Sequence, residues 1–229
     1  NYTEDAICYV DDIKVNDNPM SEFVYGYYQI AFGEDQLYTR TDRYLSAVKL
    51  QANGGTTQVV NSPSSPKTVY VDQTSNQFFA KPGETLTASV AYSGSWMHAY
   101  AYIDYNNDGK FTPVVDNSLS IVNGSDLVTF SFYGGSDNEN GKNSAGTSIS
   151  GNGRNTLSMP SFTIPANTTP GMYRMRYKVD WDNLDPAGGS TIISDGGGYV
   201  DIMLDVHGDQ VTVNASQLNG DIVLAADES

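Results

Sequence analysis

The sequence is poor in cysteine and in positive charge, and each scarcity excludes a class of protein. Cys8 is the only cysteine, so an internal disulfide is impossible and a cysteine-built metal site is not expected. Only 12 basic side chains stand against 27 acidic ones, and the formal net charge of -15 argues against binding to nucleic acid or to an anionic membrane surface. No apolar run is long enough to cross a bilayer, so membrane insertion is not predicted.

The chain of 229 residues is instead rich in alternating polar and apolar positions. Such alternation is typical of β-strands with one buried face, and no segment has convincing amphipathic helical spacing. Many short strands separated by Gly, Asn, Asp and Pro turns predict an all-β fold, a β-sandwich of Greek-key or jelly-roll type. The predicted strands are 23–32, 43–51, 67–72, 85–92, 96–105, 127–133, 157–164, 172–181, 198–207 and 210–215.

The chain divides into three predicted parts. Residues 43–207 form the main sandwich. Residues 1–42 are an N-terminal β segment whose run Cys8–Val15 resembles the closing strand of bacterial jelly-roll modules. Residues 208–229 are a C-terminal strand or linker to a following domain. Within the sandwich, the run from Gly134 to Asn155 has almost no large apolar side chain, which predicts a long surface loop.

The predicted strand from Trp96 to Tyr105 has two different faces. Met97, Ala99, Ala101 and Ile103 share the apolar face, whereas Trp96, His98, Tyr100, Tyr102 and Asp104 share the other. A row of exposed aromatic rings is a platform on which sugar rings stack, because sugar C–H bonds meet the negative ring face. The row of Trp96, His98, Tyr100 and Tyr102 is therefore a candidate ligand site. The alternative is a row covered by another part of the domain, as in strands buried on both faces.

The predicted strand from Met172 to Trp181 places three of the basic side chains on one face, namely Arg174, Arg176 and Lys178. If this strand neighbours the first, the guanidinium groups of Arg174 and Arg176 lie over Tyr100 and Tyr102 in cation–π contact. They then extend the candidate ligand site as an anion or glycan contact. Pairing with carboxylates is the alternative.

A candidate metal site follows the aromatic strand. Asp104, Asn106 and Asp108 carry oxygen at alternate positions, Gly109 is the sixth residue, and Lys110 is the seventh, as at the start of a calcium loop. The bidentate Glu of a full EF-hand loop is missing, since Val115 occupies position twelve. Calcium is thus the candidate cofactor, with Asp104, Asn106, Asp108 and Lys110 as its residues. A turn whose side chains bond to its own backbone is the alternative.

Three runs together resemble the GEVED domain family. The run Ala101–Phe111 is similar to the family signature YIDWNxDGxF, and Phe162–Ala166 with Gly171–Arg176 is similar to its IP…GxYRxR segment. The eponymous motif aligns with Gly198–Met203, where only Gly198 and Val200 match and Asp201 is a conservative substitute for the second Glu. The resemblance implies a β-sandwich module of secreted or surface-anchored bacterial proteins, with no established catalytic residues.

These observations favour a non-catalytic extracellular module of a larger bacterial protein, one that binds carbohydrate or serves adhesion at the surface of a Gram-negative cell. Its expected partners are a glycan and the flanking domains of the same protein. Two alternatives stay open: a structural spacer beside a glycosidase or peptidase domain, and a glycoside hydrolase fragment. An enzyme is not predicted, because His98 and His207 have no nucleophile motif beside them and no G-x-S-x-G elbow is present.

Overall fold

The computed structural model describes residues 14–15, 18–19, 28, 42–61, 69–132, 142–147, 156–181, 184, 186–187 and 196–208. Within these residues the chain forms strands and turns and no helix, so they offer no helical segment that could span a membrane. The strands are β1 (Lys14–Val15), β2 (Asn18–Pro19), β3 (Tyr44–Ala52), β4 (Thr57–Asn61), β5 (Tyr70–Ala80), β6 (Thr85–Ser93), β7 (His98–Ile103), β8 (Leu127–Ser131), β9 (Thr156–Ser158), β10 (Phe162–Thr163), β11 (Gly171–Asp180) and β12 (Gly197–Val206).

Ten of these strands form two five-stranded sheets. The first sheet has the order β10-β6-β3-β4, with β9 also paired to β6, and the second has the order β5-β12-β11-β7-β8. All neighbours are antiparallel except β5 and β12, which run parallel. The short pair β1–β2 stands apart from both sheets. The all-β sandwich prediction is confirmed, and the domain boundaries at 42/43 and 207/208 stay predictions.

Side chains that alternate along the strands fill the space between the two sheets. On β6, Leu86, Ala88 and Val90 are buried while the residues between them reach solvent. The predicted apolar face of β7 lies in the same core, where Ala99, Ala101 and Ile103 pack against the inward side chains of β11 and β12. Burial of these inward faces is the main favourable term for a sandwich of this kind.

The second sheet is also covered on its outer face. A separate cluster contains Tyr100, Tyr102, Phe111, Leu127 and Phe130. Phe111, Val115, Leu119 and Ile121 come from the long connection between β7 and β8, and Tyr28 packs there from the N-terminal part of the chain. All six residues of β7 are buried, with its apolar face in the core between the sheets and its two tyrosines under this cover.

Most long strands lie within two residues of their predicted bounds, and the differences have physical causes. The predicted strand 157–164 is split into β9 and β10, because Pro160 between them has no N–H to donate. Strand β5 runs on to Ala80 and β4 was not predicted, since both lie at sheet edges and are largely polar. Of the predicted loop 134–155, residues 142–147 are described, and they form a turn in which the Asn143 side chain accepts two backbone hydrogen bonds.

Some predicted strands lie wholly or mostly outside the described residues. These are 23–32, of which only residue 28 is described, 210–215, and the run Cys8–Val15 apart from β1.

Candidate functional site

The aromatic row of β7 does not form an exposed platform. His98 is 1% exposed and lies beside the Phe132 ring, and Tyr100 and Tyr102 are 0% exposed because the β7–β8 connection packs over them. The platform interpretation is wrong for these three residues, and the covered alternative holds. Trp96 precedes β7 in a left-handed backbone conformation with φ of 65° and is partly exposed, so a ligand contact at Trp96 stays a prediction.

The basic row of β11 is paired inside the fold. In the register of β11 and β12, Arg176 lies opposite Asp201, and both side chains are fully buried. Arg176 Nε lies 2.7 Å from Asp201 Oδ1, and its Nη2 lies 2.8 Å from Oδ2. Arg174 Nε donates to the same carboxylate at 3.1 Å. Carboxylate pairing, the alternative raised for this row, is therefore what the structure has, and Arg176 has no exposed surface for a ligand.

Aromatic rings surround these charges. The Arg176 guanidinium lies 4.6 Å from the centre of the Phe111 ring, and that of Arg174 lies 4.7 Å from the Tyr28 ring. The predicted cation–π contact on Tyr100 is made by Lys178, whose Nζ is 4.9 Å from the ring centre, rather than by a guanidinium group. The row is thus a buried network of cations, carboxylates and rings.

The candidate metal loop bonds to its own backbone. Asp104 is buried; its Oδ1 accepts from the N–H of Asp108 at 3.3 Å, and its Oδ2 accepts from Gly109 N–H at 3.1 Å and from Tyr28 O–H at 2.8 Å. The Lys110 ammonium lies 3.8 Å from Asp108 Oδ2. No group of three or more His, Cys, Asp or Glu side chains in the described part of the chain is placed to hold a metal ion.

A groove of about 670 Å³ opens beside this loop. Its aromatic floor contains Tyr105, Phe162 and Tyr173. One wall is Asn106 with residues 121–128, and the other wall is formed by residues between 163 and 169. Two connections that are distant in sequence therefore meet here, at the edge of the sandwich.

Tyr105 lies between the core and the groove. Its ring packs 6.0 Å from the Tyr173 ring, and the Tyr173 hydroxyl donates to the Thr169 carbonyl at 2.6 Å. Burial raises the pKa of the Tyr105 hydroxyl, which therefore stays protonated. The Tyr105 hydroxyl has no hydrogen-bond partner among the described residues.

Asp126 is the charged side chain of the groove lining. It is 6% exposed, and its Oδ2 accepts the Thr112 N–H at 2.6 Å. Burial raises the pKa of Asp126 to about 6, and the nearby carboxylates of Asp104 and Asp108 add to this, whereas the Thr112 N–H and the Lys110 ammonium oppose it. Asp126 is consequently ionised at neutral pH and protonated at mildly acidic pH.

Asn106 is the one residue of this groove lining that the sequence predicted as a site residue. Tyr105 carried a usable signal, since it continues the odd-numbered apolar face of Met97 to Ile103 one step beyond the end of β7. The sequence gives no signal that Asp126 is a site residue, because it is one of many acidic residues in loops. Asn123 and Asn167 likewise carried none as groove residues.

Residues 98–201 match the family model of the GEVED domain. This part of the chain is similar to the GEVED domain. No curated protein matches the sequence. Among solved structures, a family 123 glycoside hydrolase from Clostridium perfringens, described for glycolipid glycan hydrolysis, is 13% identical with a TM-score of 0.27. The match covers 60% of this chain and 23% of the hydrolase chain, a likeness too low to carry an argument.

The arginines and the acidic position of the GEVED-like runs form the buried network, whereas Tyr105, Asn106, Phe162 and Tyr173 of the same runs line the groove. The two arginines of the GxYRxR segment, Arg174 and Arg176, both bond to Asp201, which occupies the position of the second Glu in the eponymous motif. The chain departs from that motif at Tyr199 and Ile202, and both side chains are fully buried. Asp201 nevertheless supplies a carboxylate that pairs with both arginines.

We predict that Asp201→Asn lowers the free energy of unfolding by about 3–5 kcal/mol, because it leaves two guanidinium groups partly unpaired, one of them fully buried. Urea unfolding followed by circular dichroism measures this. Asp72→Asn is the matched control, because Asp72 Oδ2 lies 4.0 Å from Arg174 Nη2 and the Asp72 side chain is 55% exposed. Loss of this exposed ion pair should cost at most about 1 kcal/mol of unfolding free energy. Equal effects of the two changes would contradict a central role for Asp201.

A second prediction concerns pH. Because the folded-state pKa of Asp126 lies near 6, above its ordinary value of 3.8, Asp126 stabilises the fold below about pH 4, and this contribution is lost as pH rises through 6. Asp126→Asn keeps the acceptor for Thr112 and removes the charge. Its stability relative to the unsubstituted protein should therefore rise by about 2 kcal/mol between pH 4 and pH 7. Urea unfolding in EDTA across this range tests it, and a difference that does not change with pH would refute it.

Proposed function

We propose that this chain is a non-catalytic, carbohydrate-binding or adhesive module of a larger extracellular protein and that the groove beside Tyr105 is its binding site. The GEVED match indicates a module of a larger protein. The acidic composition and the single cysteine are compatible with the surface of a Gram-negative cell. The partly exposed ring of Tyr105, in a groove otherwise lined by the buried rings of Phe162 and Tyr173 and by polar groups, is the observation that carries the proposal.

The lining of the groove suits a sugar. Tyr105 offers part of an aromatic ring, and Asn106, Asn123, Asn167 and Thr168 offer polar groups around it. A concave site with an apolar floor and a few polar groups is the usual form of a small-ligand site. Sugars present C–H faces to rings and hydroxyl groups to amides, so they match both kinds of surface.

The same lining supports binding without hydrolysis. Glycoside hydrolysis generally uses a pair of carboxyl groups that flank the scissile bond. Asp126 is the only carboxylate in the groove lining given by the described residues. A single carboxylate can orient a ligand, but it does not provide the acid and the nucleophile or base together.

The experiment is a double substitution at the rim, Asn123→Ala with Asn167→Ala. Both side chains are exposed and neither makes a side-chain hydrogen bond within the described residues, so the fold should be unaffected. Loss of two ligand hydrogen bonds should weaken glycan binding about ten-fold or more. Glycan-array screening followed by calorimetry measures it, with Asn76→Ala on β5, at the opposite edge of the second sheet, as the matched control.

Two outcomes would contradict the proposal. The first is a folded protein that binds nothing on a broad glycan array, which would favour the spacer function. The second is a bound glycan whose affinity changes equally in the rim variant and in the Asn76→Ala control.

We also propose calcium as the cofactor of the Asp104 loop. The oxygens of Asp104, Asn106 and Asp108 all accept bonds from the backbone N–H groups of residues 108–110, so these hard ligands converge on one turn. Tyr28 and Lys110 compete with a cation for Asp104 and Asp108.

Millimolar calcium should raise the melting temperature by a few degrees, because a ligand of the folded state stabilises it. Asp108→Asn should abolish this rise, whereas Asp116→Asn, which changes an exposed acid of the same connection, should not. Differential scanning calorimetry with magnesium as the comparison cation tests it. An unchanged melting temperature would leave the loop as a self-bonded turn.

A further inference from the structure

Asp126 is held rigidly in one wall of the groove. Its backbone N–H donates to the Thr112 carbonyl at 3.3 Å, and its carbonyl accepts from the Ile103 N–H at 2.8 Å. The neighbouring Ser125 hydroxyl accepts from the N–H groups of Val114 and Leu127 at 2.8 and 3.1 Å. The residue is therefore fixed from both sides, so its carboxylate is in place before any ligand arrives.

One oxygen of this carboxylate is left for a ligand. Oδ2 accepts the Thr112 N–H at 2.6 Å, and no described residue donates a hydrogen bond to Oδ1. Asp126 is only 6% exposed, and burial of a carboxylate costs free energy unless hydrogen bonds replace those made with water. A donor group on a bound molecule would supply such a hydrogen bond.

The surroundings of Asp126 are negative. The carboxylates of Asp104 and Asp108 act on it from the neighbouring loop, and the one nearby cation, among the described residues that act on it, is Lys110, whose side chain is 65% exposed. Solvent weakens the field of Lys110 much more than the field of the buried Asp104. An anionic group entering the groove therefore meets a net repulsion.

We propose that the groove selects glycans by charge and that Asp126 is its specificity-determining residue. Glycans whose hydroxyl or ammonium group donates to Asp126 Oδ1 bind, and glycans with uronic or sialic acid are rejected. Negative charges set against a wrong ligand are a common source of specificity, because they penalise it without needing extra contacts for the right one. This inference rests on the proposed function, since it names the ligand class for the same groove.

The test is an array of neutral, amino-containing and acidic oligosaccharides, probed at pH 7.5 in EDTA so that no divalent cation bridges an acidic sugar to the protein. We expect neutral and amino-containing glycans to bind and uronic and sialic glycans to be at background. In Asp126→Asn, affinity for amino-containing glycans should fall about ten-fold, and acidic glycans should gain binding, because the charge is lost while the acceptor for Thr112 stays. Asp116→Asn is the matched control, since it removes an acid of the same connection outside the groove lining.

The outcomes separate the two proposals. If the unsubstituted protein binds no glycan, the proposed function fails. If it binds acidic glycans as well as neutral ones, the function stands and charge selection is wrong. Equal selectivity in Asp126→Asn and in the unsubstituted protein would also overturn the role of Asp126. The array on the unsubstituted protein decides the selectivity even if Asp126→Asn proves unstable in a melting measurement.

Discussion

The cover on the outer face of the second sheet depends on the buried ion pair between Arg176 and Asp201. The antiparallel register of β11 and β12 sets the two residues opposite each other on the outer face of the second sheet. Charges at that position must be covered by protein or solvated by water. Here Phe111 covers them, and the backbone carbonyl of Tyr28 accepts a hydrogen bond from Arg176 Nη2 at 2.9 Å. The chain that supplies Phe111 is the β7–β8 connection, and the later part of that connection is also one wall of the groove.

This dependence gives the GEVED motifs a structural meaning. The arginines of one motif and the carboxylate of the other are two halves of one network, joined across neighbouring strands. Replacement of the first Glu by Tyr199 is compatible with the network, because the ring lies 5.5 Å from the Arg176 guanidinium and 6.0 Å from the Lys178 ammonium. In this chain the motif therefore has a carboxylate at the position that faces the buried arginines and a ring at the position of the first Glu.

The sequence predicted those features of the fold that depend on a local pattern, such as alternation along one strand. Alternation along β7 and β11 predicted which side chains face the core, since the period of a strand is fixed by its backbone. It was uninformative about the outer face of β7, because the cover comes from Phe111 and Leu119, residues outside any strand. The groove could not be predicted either, because Tyr105 and Tyr173 are distant in sequence and come together only through the pairing of β7 with β11.

The position of the candidate site follows from what covers the outer face of each sheet. The second sheet is closed by its own connections, so His98, Tyr100 and Tyr102 support the fold and meet no solvent. On the first sheet, outward side chains at its β6–β10 edge bond to each other, as Thr85 does to Thr163 at 3.0 Å and Thr87 to Ser161 at 2.8 Å. At the edge between the sheets, neither arrangement operates, and the Tyr105 ring there is only partly covered. The rings that cover the second sheet cannot move outward without exposing Arg176 and Asp201, which would cost free energy. A ligand site in this sandwich is therefore expected in its loops.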